Sequence, residues 1–135
     1  MDCIFCQIAN SKTPSNLIYQ DELLMCLLDI DPINEGHVLI IPKIHYLDAD
    51  EIPNEILLSI MTLSKRIVKA IKERYSPDGY SIMQNGGEFN DIGHYHMHIF
   101  PRYKNDGFGW TFSDTKHNVS QSIADELRKV LNNTN

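Results

Sequence analysis

Three of the chain's six histidines fall within five residues, in His94-Tyr95-His96-Met97-His98. Alternation of this kind is the period of a β-strand, where residues two apart share a face. On a strand, His94, His96 and His98 form a row of imidazoles about 6–7 Å apart. Tyr95, Met97 and Ile99 then point the opposite way, into a core. On a helix the three rings would scatter around the axis and could not act together. Such a row suits metal binding, for which imidazole is the commonest ligand. It equally suits nucleophilic catalysis, in which one ring attacks while its neighbours position an anion and move protons. The bland alternative is a solvent-facing strand that happens to carry histidines. No carboxylate triad for activating water accompanies the row.

A second group with chemical potential is Cys3-Ile4-Phe5-Cys6. A lone Cys-x-x-Cys can be half a metal site, a redox pair or chance. A redox pair wants a preceding strand, and none precedes this one. A tetrahedral site needs two further ligands, for which His45 and His94 are candidates. Cys26 lies in an apolar run and reads as a buried core thiol.

These groups need elements to position them. Residues 5–10 are expected to form a short helical turn. Residues 17–19 and 23–29 read as strands about a turn at Gln20-Asp21-Glu22. Val38 to Ile41 is a β-branched run fit for a central strand, ended by Pro42. Asp48 to Glu51 and Pro53 signal a helix start. Ile56, Ile60, Leu63, Ile67 and Ile71 then recur at three- and four-residue steps, which predicts an amphipathic helix of about five turns. Ser76-Pro77-Asp78-Gly79 is a turn, and residues 80–84 read as another strand. Asn85-Gly86-Gly87 is a loop whose glycines permit close backbone approach to a ligand. Residues 119–131 carry Val119, Ile123, Leu127, Val130 and Leu131 at helical spacing, predicting a C-terminal helix packed on the domain. Asn132 to Asn135 are expected to fray.

Composition sets bounds. A length of 135 residues with 42% hydrophobic content predicts one domain over residues 1–135, with a core spanning 3–110. The net charge of −6 argues against a nucleic-acid surface, and an anionic substrate must be held by local groups. The start, Met1-Asp2-Cys3, is no signal peptide. No stretch has the ~20 apolar residues of a membrane helix. A cytoplasmic enzyme is expected.

His94 to Phe100, with histidines alternating with hydrophobic residues and a hydrophobic pair following, resembles the signature of the histidine triad (HIT) family. Gly36-His37-Val38-Leu39-Ile40-Ile41-Pro42-Lys43-Ile44-His45 resembles that family's second motif, and the similarity runs from Cys3 to about Trp110. The resemblance implies an α+β, HIT-like fold, with an antiparallel sheet of about five strands, one long central helix and a C-terminal helix. It implies that His96 is the nucleophile, attacking the α-phosphorus of a nucleoside phosphoramidate, adenylate or dinucleoside polyphosphate and becoming nucleotidylated. His98 and His37 would hold phosphate oxygens or position His96. Asp29, which could merely satisfy a turn, would bind the ribose. Asn85 would face ribose or phosphate. Ile4, Phe5, Ile8, Leu27 and Ile30 would surround the base, with a purine nucleotide or its conjugate as partner. A structural zinc on Cys3, Cys6, His45 and His94 is implied, with no catalytic metal, in a homodimer formed through the long helix and the strand after it.

The chain departs from the pattern ahead of the triad. Many members carry Gln and Ser there, contacting phosphate or leaving group, where this chain has Asn90 and Asp91. Asn90 keeps an amide donor with shorter reach. Asp91 sets a carboxylate near an expected phosphate, which it repels unless protonated or turned away, so leaving-group preference and rate stay open.

Overall fold

The computed structural model of the chain describes residues 3–134. The Met1-Asp2 start and Asn135, at the end of the expected fraying tail, lie outside the described residues. In chain order the elements are α1 (Ile4–Ala9), β1 (Leu17–Gln20), β2 (Leu24–Leu28), β3 (Val38–Pro42), α2 (Asn54–Tyr75), β4 (Gly79–Met83), β5 (Met97–Arg102) and α3 (Gln121–Asn132). The five strands form one sheet in the order β1-β2-β3-β5-β4, and every neighbouring pair is antiparallel.

Both faces of the sheet's middle are covered. Leu24, Cys26, Val38, Ile40, Met97 and Ile99 pack against the apolar stripe of α2, formed by Ile56, Ile60, Leu63, Ile67 and Ile71. Met25, Leu27, Leu39 and Ile41 face the opposite side and pack with Phe5 and Ile8 of α1. This two-sided burial explains why β2 and β3 read as continuous apolar runs rather than alternating ones. It also isolates Cys26, whose thiol is pushed up to about 12 by burial, as a packing residue.

Several boundaries differ from the sequence expectation. The long helix is 22 residues, and Pro53 stands just ahead of it in an extended conformation, its carbonyl accepting the Ile56 and Leu57 amides. Pro42 is the last residue of β3 rather than the residue after it. β5 starts at Met97, so His94 and His96 precede the hydrogen-bonded strand. Pro101 sits inside β5 opposite Tyr80. Its carbonyl accepts from Asn34 Nδ2, beyond the Val38–Ile99 end of the β3 ladder. The missing N–H faces the same way, where no strand waits for it.

The expectation that the C-terminal helix packs on the domain is not met. No residue of α3 is buried; Leu127 and Val130 are 65% and 63% exposed. Periodicity reports that an apolar face exists but not what covers it. Local interactions shape this helix instead: the Ser120 hydroxyl accepts the Ile123 amide, and Asp125 accepts from Gln121 and Arg128. Thr134 donates its hydroxyl to the Leu131 carbonyl at the end of this helix.

One tight contact fixes the entry to β3. Gly36 has φ +89°, and a Cβ there would lie 2.5 Å from the Tyr75 ring at the end of α2. Gly36→Ala combines a left-handed backbone with overpacking and is expected to destabilise the fold by about 2–4 kcal/mol. Urea titration of the variant measures it; a change below about 1 kcal/mol would show that Tyr75 moves aside freely.

Candidate functional site

The site is built on the α1 face of the sheet. Tyr95, Met97 and Ile99 join the α2-side core, so the alternating histidines turn to the other face. His94 and His96 are buried, and His98 is partly so. Phe5 from α1 meets both His94 and His96 edge-on, with ring centroids 5.7 and 5.3 Å away.

Hydrogen bonds define the state of each ring. The Ile33 amide donates to His37 Nδ1 at 3.0 Å, which leaves the His37 proton on Nε2. That nitrogen lies 2.9 Å from His98 Nδ1 and donates to it. His98 therefore carries its own proton on Nε2. His96 Nδ1 donates to the His94 carbonyl oxygen at 2.8 Å. The remaining nitrogen of His96, Nε2, is left with a free lone pair. The geometry thus sets an unprotonated imidazole nitrogen beside a neighbour bearing an N–H, a pairing suited to nucleophilic attack with stabilisation of a developing anion.

Burial favours the neutral forms of His98 and His37. His98 is pulled down to about 4 by burial and by the neighbouring His96 and His37, against the opposing pull of Asp29 and Asp91. His37 is lowered by burial despite Asp29. A histidine whose folded pKa is depressed is protonated in the unfolded chain first. Its stabilising contribution is complete above about pH 6.5 and is lost as pH falls toward about 4. Denaturation midpoints should therefore decline between pH 6.5 and 4 in wild type, and less steeply in His98→Gln. Equal slopes would remove His98 as a contributor.

His94 serves a different cluster. Its Nε2 donates to the Pro42 carbonyl at 2.8 Å, turning the Nδ1 lone pair toward α1. There Cys3 Sγ lies 3.3 Å and Cys6 Sγ 3.6 Å away, and Cys6 Sγ is 3.3 Å from His45 Nδ1. The four donor atoms lie within 4.8 Å of one another. Tetrahedral bonds of about 2.3 Å to sulfur and 2.0–2.1 Å to nitrogen put S and N about 3.5 Å apart. The cluster already has that spacing, and the Pro42 carbonyl fixes the ligand tautomer as an outer partner should. Burial and the adjacent Cys3 raise the Cys6 thiol; a bound cation would reverse that and hold both sulfurs as thiolates.

The reading in which His94, His96 and His98 share one ion does not fit, because both nitrogens of His94 are committed to the cysteine side and to Pro42. Asp29, His37 and His98 also come together. There, however, the lone pair of His37 already accepts the Ile33 amide, and its other nitrogen bears the proton.

A cavity of about 650 Å³ opens against His96 and His98. Ile4, Phe5, Ile8, Leu27, Asp29 and Ile30 line it, as do Leu39, Ile92 and residues 13–16. Asp29 Oδ1 accepts the Asp31 amide at 2.9 Å, and its Oδ2 lies 3.4 Å from His37 Nε2. The two asparagines are placed elsewhere. Asn85 is exposed in the loop after β4 and is absent from the cavity wall. Asn90 is buried and holds the turn before the triad: its Oδ1 accepts the Ile92 and Gly93 amides, and its Nδ2 donates to the Leu47 carbonyl. Asp91 reaches the cavity instead, with Oδ1 3.6 Å from His96 Nε2. Leu39 was missing from the sequence reading; it pairs directly with His98 across β3 and β5, a register invisible before the strands are aligned.

A family model for the HIT domain matches residues 10–105 of the chain. This protein belongs to the HIT family. Adenosine 5′-monophosphoramidase of Saccharomyces cerevisiae is 36% identical over 134 residues, covering 96% of this chain and 82% of the yeast protein. The crystal structure of a HIT family protein from Bacillus anthracis superposes with a TM-score of 0.89 at 30% identity, covering 99% of this chain and 98% of that one. A Zn-bound histidine triad family protein from Mycobacterium smegmatis has a TM-score of 0.75 at 34% identity, covering 85% of each chain. The α+β fold expected from the HIT resemblance, an antiparallel sheet of five strands beside a long helix, is the fold observed.

Proposed function

We propose that this HIT protein hydrolyses nucleotide conjugates by transferring the nucleotidyl group to His96 and then to water. The observation that carries the reading is the lone pair of His96 Nε2, freed by the bond from Nδ1 to the His94 carbonyl and presented to the cavity. Nε2 bonds to the α-phosphorus, and the bond to the leaving group breaks. The leaving group departs with the electron pair and takes a proton from solvent. Water then attacks the phospho-histidine, releasing the monophosphate and a proton and restoring His96. His98 Nε2–H supplies the hydrogen bond to the phosphoryl oxygen. Phe5, Ile4, Ile8, Leu27 and Ile30 enclose a purine base, and Asp29 takes the ribose hydroxyls. The kinship with a yeast adenosine monophosphoramidase supports an adenosine conjugate as substrate. Asn90 acts by holding the turn before the triad.

The Cys3, Cys6, His45 and His94 set is proposed to bind a structural zinc, in keeping with its S/N spacing and with the Zn-bound M. smegmatis relative. Four protein ligands leave no open position, so the ion anchors α1 and takes no part in the steps above. The chain is further proposed to act as one cytoplasmic HIT domain in a homodimer. β4 is an outer strand, and Leu58 and Met61 on α2, with Tyr80 and Ile82 on β4, are exposed apolar groups suited to such an interface. No helix among the described residues is long and apolar enough to cross a membrane.

Intact-protein mass spectrometry after brief mixing with a fluorogenic adenosine phosphoramidate tests the reaction. A gain of one adenylate in wild type, absent from His96→Ala, is expected. Nucleotide binding with neither adduct nor turnover, for this substrate and a dinucleoside polyphosphate, would make the protein a binding module.

A further inference from the structure

The cavity beside His96 has an unusual charge inventory for a site that takes a phosphate. Its wall includes three carboxylates, Asp29, Asp31 and Asp91, and neither Lys nor Arg. Anion sites ordinarily recruit guanidinium or ammonium groups. Two of the three carboxylates have local tasks or a distal place: Asp29 accepts the Asp31 amide and faces His37 and His98, and Asp31 follows it in the same exposed turn. Asp91 stands apart. It comes from the turn ahead of the triad, and its side chain is 83% exposed, yet its carboxylate sits 3.6 Å from the attacking nitrogen.

That position is held from below. Asn90, only 8% exposed, ties the turn to Ile92, Gly93 and Leu47 through its side chain, and Gly93 adopts φ +70° directly after it. The carboxylate is therefore delivered to the mouth of the site by an anchored backbone, while its own charge remains in water.

Resting on the nucleotidyl-transfer reading above, we propose that Asp91 selects the leaving group by charge: it favours nucleotide conjugates whose leaving group carries an ammonium near the scissile bond and disfavours carboxylate-, sulfate- or phosphate-bearing ones. Attack places phosphorus about 3–3.5 Å from Nε2. The first atom of the leaving group then lies at most about 9 Å from the carboxylate, within reach of one Debye length at moderate salt. A unit charge two or three bonds beyond that atom still lies within about 13 Å, roughly one Debye length at about 50 mM salt, where it changes rates about threefold; exchanging cation for anion doubles the effect in free energy, giving about tenfold. The nucleoside end is sequestered by α1 and β2, so the discrimination acts on the departing half alone. Asp91 is a specificity determinant here and does not itself bond to the reacting phosphorus.

The test uses adenosine 5′-phosphoramidates of 1,2-diaminoethane, propylamine and glycine, which keep the charge within two or three bonds of the leaving nitrogen and share the attacking geometry. Wild type, Asp91→Asn, Asp91→Lys and Asp31→Asn are compared by kcat/KM at about 50 mM and about 500 mM salt. The wild type is expected to prefer the ammonium over the carboxylate substrate by about tenfold, shrinking at the higher salt. Asp91→Asn should bring the ratio to within about twofold and Asp91→Lys should invert it, with Asp31→Asn keeping most of it. A ratio near unity in wild type, or one that survives in Asp91→Asn, overturns the inference while the nucleotidyl-transfer reading stands. If wild type hydrolyses none of the three, including the neutral propylamide, the reading itself fails.

Discussion

His96→Ala is expected to lower kcat by about 10⁴-fold or more while leaving the Kd for adenosine monophosphate within about tenfold of wild type. The asymmetry follows from what the side chain touches. His96 Nε2 is the one ring nitrogen of the site with its lone pair unclaimed, since His37, His94 and His98 spend theirs on Ile33, the cysteine cluster and His37 respectively. On the proposed reading binding rests on the apolar wall and Asp29, of which Phe5 touches the His96 ring while the rest of the wall is left in place. His98→Ala removes a single donor to the phosphoryl oxygen and should cost about 10²-fold in kcat. Stopped-flow and steady-state assays with isothermal titration separate the two constants. Similar losses for His96 and His98, or a His96→Ala enzyme retaining about one tenth of its activity, would assign the nucleophile elsewhere.

The second large effect concerns the zinc site proposed at Cys3, Cys6, His45 and His94. Removing zinc with a chelator, or replacing Cys3 by Ser, is expected to destabilise the fold by about 3–5 kcal/mol and to lower Tm by about 10–15 °C. The cluster joins α1 to residues 45 and 94, more than thirty positions away in sequence, so its loss frees the segment that carries Ile4, Phe5 and Ile8. Those residues line the cavity, and Phe5 also packs on the ring of His96. KM should accordingly rise more than kcat falls. Calorimetry of metal-free and zinc-reconstituted protein provides the comparison, with elemental analysis for stoichiometry. Unchanged melting after full metal removal would leave the four side chains as a hydrogen-bonded cluster only.

Much of this was legible before any coordinates. The strand-period histidines, the helical stripe from Ile56 to Ile71 and the Cys-x-x-Cys each report a local pattern, and local patterns survive into the fold. What escaped depended on partners remote in sequence. Asn90 has the side chain expected of a ligand contact, but Leu47 and its own turn claim it first. Leu39 entered the site through the register of two strands about sixty residues apart. The apolar residues of α3 promised a docking surface, and the helix formed without one.

The late start of β5 has a consequence of its own. The β3 ladder reaches only Met97 and the β4 ladder only His98, so no neighbouring strand claims the His94 carbonyl, and His96 takes it. Had the sheet zipped up two residues further, that oxygen would be a rung, and His96 would be free to move its proton to Nε2. A little sheet is given up for a fixed tautomer: the frayed ladder end is what holds the His96 proton on Nδ1 and leaves Nε2 open.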